Sequence, residues 1–76
     1  MKASALRAVV EAVADTDPDR AERIAQSITD PDEKGWALCA VVEAVADTDP
    51  DRAERIAQSI TNPDAKVRAI LDIVKV

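Results

Sequence analysis

The chain has 76 residues, with 10 Lys and Arg against 15 Asp and Glu, so its formal net charge is −5. It contains 15 Ala and nine Val, but only one aromatic residue (Trp36), one Cys, one Gly and no His. This composition excludes His-based acid/base or metal chemistry, a disulfide within one chain and a glycine-rich phosphate loop. The acidic balance disfavours nucleic acid as a partner, and no stretch is apolar over the roughly 18 residues that a membrane span needs.

The sequence repeats itself with an offset of 32 residues. Segments 8–32 and 40–64 differ only in that Asp30 of the first is Asn62 in the second. This register divides a single domain, 1–76, into a first unit (1–32), a second unit (33–64) and a C-terminal capping helix (65–76). Identity this high indicates either a very recent duplication or a deliberately engineered chain. If it is not engineered, the chain is also expected to be a fragment of a longer repeat array.

Each unit is predicted to contain two helices. The first helix of the second unit begins with Asp30 as N-cap, Pro31 at the first helical position and Glu33 where a capping box requires it. Asp49 before Pro50 marks the next helix boundary, because a residue before proline is displaced from the α region. The apolar stripe of this helix has the spacing i, i+3, i+4, i+7 and consists of Leu38, Val41, Val42 and Val45.

The whole chain is therefore expected to be all-α, without strands. The predicted helices lie near residues 2–15, 18–28, 31–46, 50–60 and 63–75. Short loops between amphipathic helices make antiparallel hairpins, and identical hairpins stack by one repeated operation. We expect about two and a half hairpins in a right-handed stack.

The repeat unit resembles two related kinds of helical repeat. Trp36 early in the first helix, Ala53 early in the second and Asn62-Pro63 in the closing loop are similar to the tetratricopeptide-like signature. The run from Asn62 to Ala69, NPDAKVRA, is equally similar to the start of HEAT repeats. The resemblance covers the whole chain and implies a scaffold that binds a peptide or protein along its concave face.

One stripe of the first helices is the candidate partner-binding surface. Trp36 lies about 160° from Leu38 and is thus opposite the face that packs within the hairpin. Trp36 is either an exposed anchor for a partner or a filler of a gap between repeats. With the equivalent positions of the other units, the predicted stripe consists of Arg7, Glu11, Trp36, Cys39, Glu43, Arg68 and Lys75.

The remaining side chains do not indicate catalysis, a cofactor or a metal. The segment 15–19 spaces its carboxylates like a calcium loop, but Arg20 and Gln26 occupy the positions that need Gly and Glu. Asp19 and Arg23 are expected to pair at i, i+4, as are their counterparts in the second unit. Cys39 is expected to be a passive, half-buried thiol, which indicates a reducing, cytoplasmic setting. The sequence therefore predicts a protein that is not an enzyme.

The two ends suggest an alternative function. Units one and two carry net charges of −3 and −4, whereas 65–76 carries +2. Asp72 replaces the alanine of the repeat and is expected to add polarity to an otherwise apolar last helix. A short array leaves its terminal faces incompletely covered, so we expect weak homo-oligomerisation. The alternative to a scaffold is thus a module that assembles with other copies of itself, through its ends or the Trp36 stripe.

Overall fold

The structure is a computed structural model that describes residues 3–74, with the side chains of residues 7–74. The described residues form five α-helices and no strand, which confirms the predicted all-α fold. The helices are α1 (Ala3–Ala14), α2 (Pro18–Gln26), α3 (Pro31–Val45), α4 (Pro50–Ser59) and α5 (Pro63–Val74). The predicted starts of α2 to α5 are correct. The predicted boundaries at residues 2 and 75 lie outside the described residues.

The helix starts follow from one local rule, an acidic or amide N-cap followed by proline. Asp17 and Asp49 accept hydrogen bonds from the backbone N–H groups of Arg20 and Arg52, both at 3.1 Å. Their backbone angles agree within one degree (φ −144°, ψ 75° and φ −145°, ψ 75°). Identical sequence thus produces identical capping in both units, since the cap satisfies backbone donors that the helix leaves free.

The second helices end earlier than predicted. The hydroxyl of Ser27 donates to the carbonyl of Ile24 at 2.6 Å, and that of Ser59 donates to the carbonyl of Ile56 at the same distance. A serine bonded to the preceding turn competes with the backbone ladder and favours termination. α2 therefore ends before Ile28, which is buried in the following loop.

The central helix α3 holds the fold together. It contacts each of the other four helices, whereas the backbones of α2 and α4 do not contact one another. The molecule measures 33 × 27 × 15 Å between Cα atoms. Two helix layers about 8–10 Å apart, each with a Cα radius of about 2.3 Å, account for the smallest dimension. The first helices α1, α3 and α5 form one layer, and α2 and α4 form the other.

Small side chains permit this packing. Ala37, Ala65 and Ala69 are fully buried where the first helices stack. A Cβ atom added to Gly35 would lie 3.0 Å from the Cβ of Ala65 and 3.2 Å from that of Asn62. Because such distances are tighter than most Cβ contacts in proteins, a side chain at position 35 would require Ala65 and Asn62 to move, and glycine allows α3 and α5 to approach this closely without that shift.

The one difference between the repeated segments has a structural reason. The Asn62 side-chain oxygen caps α5, accepting from Asp64 and Ala65 N–H, while its amide nitrogen donates to Asp32 Oδ1 at 2.7 Å. An aspartate at position 62 would bring a second carboxylate against Asp32. Asp30 caps α3 in the same way, accepting from the N–H groups of Asp32 and Glu33, but forms no hydrogen bond to a carboxylate among the described residues.

We therefore expect Asn62→Asp to destabilise the fold although it restores the repeat. The loss of a hydrogen bond to a charged group, with repulsion added, lowers the free energy of unfolding by about 1–2 kcal/mol. Asp30→Asn is the reciprocal control and changes it by less than about 0.5 kcal/mol, since both residues are good N-caps. Urea unfolding followed by circular dichroism measures both. Equal effects of the two substitutions would contradict the contact between Asn62 and Asp32.

Candidate functional site

A groove of about 480 Å³ lies between α1 and α3. Three alanines and three carboxylate residues line it: Ala14, Ala40, Ala44, Glu11, Asp15 and Glu43. All three carboxylate residues are exposed, whereas Ala14 is buried. The groove exists because alanine side chains leave space between two neighbouring helices, and all of its charged lining residues are acidic. Of the predicted stripe, the structure brings Glu11 and Glu43 together here.

Trp36 lies one turn before Ala40 on the same face of α3. Its side chain is partly buried and packs against the hydrophobic core. This placement agrees with the predicted role of a filler between repeats, while part of the ring stays accessible.

Two other residues of the predicted stripe lie between stacked helices. Arg7 of α1 contacts Glu33 of α3 at 3.8 Å, and also Glu11 on its own helix at 3.8 Å. Glu33 therefore reaches towards α1 and does not form the predicted capping box. The Cys39 thiol donates to the Ala65 carbonyl at 2.9 Å and is 3% exposed. The prediction that Cys39 faces a partner is wrong, because α5 covers it.

The surroundings of Cys39 make its thiol unreactive. Burial, followed by the negative charges of Asp72 and Glu43, raises the pKa of the Cys39 thiol to about 11, and the positive charge of Arg68 opposes this shift only in part. The thiol is therefore protonated at neutral pH. Since the thiolate is the nucleophile and metal ligand, Cys39 acts as a small core residue.

The last helix departs from its predicted character at Asp72. This residue adds a polar group to the last helix, but it is only 8% exposed, so its carboxylate lies in the interior and not on the surface. Its Oδ1 lies 3.4 Å from Nε of exposed Arg68, and its Oδ2 has no hydrogen-bond partner among the described residues. Arg68 is thus engaged on its own helix. Lys75, the remaining member of the predicted stripe, lies outside the described residues.

Sequence reasoning missed an ion pair that joins the two units. Arg52 Nη2 of α4 lies 2.6 Å from Asp19 Oδ1 and 2.9 Å from Glu22 Oε1, both on α2. Hydrogen bonds to Glu22 and Asp19 raise the pKa of the Arg52 guanidinium above its ordinary value. The predicted pairs Asp19–Arg23 and Asp51–Arg55 are both absent from the ion pairs of the described residues, and Asp19 contacts Arg52 instead. The sequence signal for this ion pair is non-local, because it combines an Arg near the start of α4 with acids near the start of α2.

The identical segments provide a matched pair of variants for this contact. Arg52→Ala should lower the free energy of unfolding by about 1–2 kcal/mol, since it removes hydrogen bonds between charged groups that hold α2 to α4. Arg20→Ala removes the equivalent residue of the first unit, which is exposed and forms no ion pair among the described residues, and should cost less than about 0.5 kcal/mol. Denaturant titration measures both. Equal costs would contradict a stabilising link through Arg52.

The chain shows no feature of a metal centre or membrane span in its described part. No three His, Cys, Asp or Glu side chains in that part come together to hold a metal ion. Within residues 3–74, no helix is both long and apolar enough to cross a membrane. No family model, curated protein or solved structure matches the chain. The resemblance to tetratricopeptide-like and HEAT-like repeats therefore remains a prediction from the residues.

Proposed function

We propose that this chain is a non-catalytic helical-repeat scaffold whose groove between α1 and α3 binds a positively charged segment of a protein partner. The observation that carries the proposal is the composition of the groove, which is lined by alanines and by Glu11, Asp15 and Glu43, with no Lys or Arg among its lining residues. Arg7 lies 3.8 Å from Glu11, so Asp15 and Glu43 are the two carboxylates without an ion pair among the described residues. The stacked hairpins support the tetratricopeptide-like or HEAT-like interpretation, in which repeats present a groove to a peptide.

The groove suits lysine and arginine side chains in two ways. Their aliphatic stems can lie against the alanines, while their charged ends remain near the carboxylates and water. Each exposed ion pair contributes only about 0.2–1 kcal/mol, so affinity requires several pairs at once. The net charge of −5 attracts a basic segment from a distance, and this attraction weakens as salt is added.

Trp36 lies one helical turn before the groove residue Ala40, so a bound segment that continues along α3 would reach it. A guanidinium or ammonium group over the face of a half-buried indole gains a cation–π interaction of about 0.5–1 kcal/mol. Because Trp36 is the only aromatic residue, its emission reports on occupancy without labelling the protein.

The nucleophilic side chains support a role without catalysis. The hydroxyls of Ser27 and Ser59 both donate to carbonyls of their own helices. The Cys39 thiol is buried and protonated, and the chain has no histidine to activate a nucleophile. A reduced, buried cysteine is also compatible with the cytoplasmic location that we propose.

Charge reversal at the groove tests the proposal. The probes are two labelled helical peptides of equal length, one built from Ala and Lys and the other from Ala and Glu. We expect only the lysine peptide to bind and to change Trp36 emission. Glu43→Lys should weaken binding about three- to tenfold, or about 0.7–1.4 kcal/mol, because an attraction becomes a repulsion.

Glu54→Lys is the matched control, since it makes the same change of charge at an exposed position of α4 outside the groove. It should leave binding within about twofold of the original, which corresponds to about 0.4 kcal/mol. An equal loss in both variants would show attraction to net charge alone. Equal binding of the two peptides would also contradict the proposed site. Fluorescence anisotropy at two salt concentrations provides these affinities.

A further inference from the structure

Arg7 is the only Lys or Arg in α1, and it lies one helical turn before the groove residue Glu11. Its Nε lies 3.8 Å from Oε2 of Glu11, and its Nη1 lies 3.8 Å from Oε1 of Glu33 on α3. The only cation of α3, Lys34, lines a different cavity beside the end of α4. Arg7 is therefore the one cation of these two helices that lies against a carboxylate of the groove.

Neither of its two carboxylate partners holds Arg7 firmly. Both contacts are longer than a hydrogen bond, so the guanidinium is shared between two loose ion pairs. The side chain of Glu11 is 58% exposed, and solvent weakens its attraction to Arg7. Oε1 of Glu33, in contrast, is buried and has no hydrogen-bond partner among the described residues. Because a buried acceptor without a partner is costly, Arg7 gains by moving towards Glu33 once Glu11 has another partner.

The repeat shows that the cation at position 7 is not a requirement of the fold. Glu11 and Glu43 are equivalent residues of identical segments, and both are exposed. One turn before Glu43, the equivalent of Arg7 is Cys39, which is uncharged and buried. The groove therefore contains two equivalent carboxylates, of which only Glu11 has an internal counter-ion among the described residues.

We propose that Arg7 is an internal competitor for the groove, which pairs with Glu11 in the unbound chain and moves to Glu33 when a basic side chain of the partner binds Glu11. This inference rests on the proposed function, since it concerns the same groove. A basic side chain reaches Glu43 without displacing any cation, whereas it reaches Glu11 only by displacing Arg7. Arg7 thus determines how many positive charges a segment needs to bind, and Glu33 lowers the cost of displacing it.

The matched pair Glu11→Gln and Glu43→Gln removes the same charge at equivalent positions. The probe is the labelled helical peptide of Ala and Lys, titrated by fluorescence anisotropy at one salt concentration. Glu43→Gln should weaken binding about two- to fivefold, and Glu11→Gln by less than about 1.5-fold, because Arg7 already opposes the charge of Glu11. When Arg7→Gln is also present, the two substitutions should weaken binding equally.

Arg7→Gln alone should strengthen binding of the lysine peptide about two- to fivefold, since it frees Glu11. Arg20→Gln is its control, because it removes the same charge at an exposed position of α2 and should change the affinity by less than about 1.5-fold. The side chains of Arg7 and Glu11 are 41% and 58% exposed, so circular dichroism of these variants should remain helical.

Glu33→Gln tests the second position of Arg7. With no carboxylate at residue 33, Arg7 stays at Glu11, and binding should weaken about twofold. Glu54→Gln, which makes the same change of charge at an exposed position of α4, should weaken it by less than about 1.5-fold. Equal effects of Glu33→Gln and Glu54→Gln would overturn the movement of Arg7 to Glu33.

The remaining outcomes separate this inference from the proposed function. Equal weakening by Glu11→Gln and Glu43→Gln in the original chain would overturn the role of Arg7 and leave the groove as the binding site. Equal strengthening by Arg7→Gln and Arg20→Gln would also overturn it, because the peptide would then respond to net charge alone. A lysine peptide that binds neither the original chain nor Arg7→Gln would overturn the proposed function, and this inference with it.

Discussion

The close approach of α3 to its neighbours is the constraint on which the rest of the structure depends. A helix in contact with four others must present small side chains around much of its circumference. In α3 these small residues include Gly35 and Ala37. On the α5 side of the contact they are Ala65 and Ala69. Small side chains bury little apolar area each, so stability relies on dense packing. In a chain of this size a single core provides only about 3–5 kcal/mol, and the caps and polar links between units are significant beside it.

The repeat places identical segments beside different neighbours, so a difference between equivalent residues is caused by their surroundings and not by their sequence. Arg20 and Arg52 belong to identical segments, yet within residues 7–74 only Arg52 forms ion pairs with acids of another unit. Asp30 and Asn62 cap equivalent helices, and the asparagine occurs where a neighbouring carboxylate needs a donor. The proposed groove follows the same logic, since it lies where two first helices stack.

Local features of the fold were predictable from sequence, whereas contacts between units were only partly so. Asp-Pro and Asn-Pro pairs fixed the starts of four helices, because capping and proline geometry act within a few residues. The ends of α2 and α4 were less predictable, since Ser27 and Ser59 bond to the preceding turn. Helical phase placed Trp36, Cys39 and Glu43 on one stripe but did not show that α5 covers Cys39 and leaves Glu43 exposed. The pairing of Arg52 with α2 is non-local and followed no rule of spacing within a helix.

The stacking of α5 on α3 at Gly35 can be measured directly by solution NMR. The distance of 3.0 Å between a Cβ position on Gly35 and the Ala65 Cβ predicts a strong nuclear Overhauser effect between the Gly35 α-protons and the Ala65 methyl group. A second effect is expected between the Cys39 β-protons and Ala65. Helical chemical shifts in α3 and α5 without either effect would show that the helices form but do not stack as described, and would contradict the account.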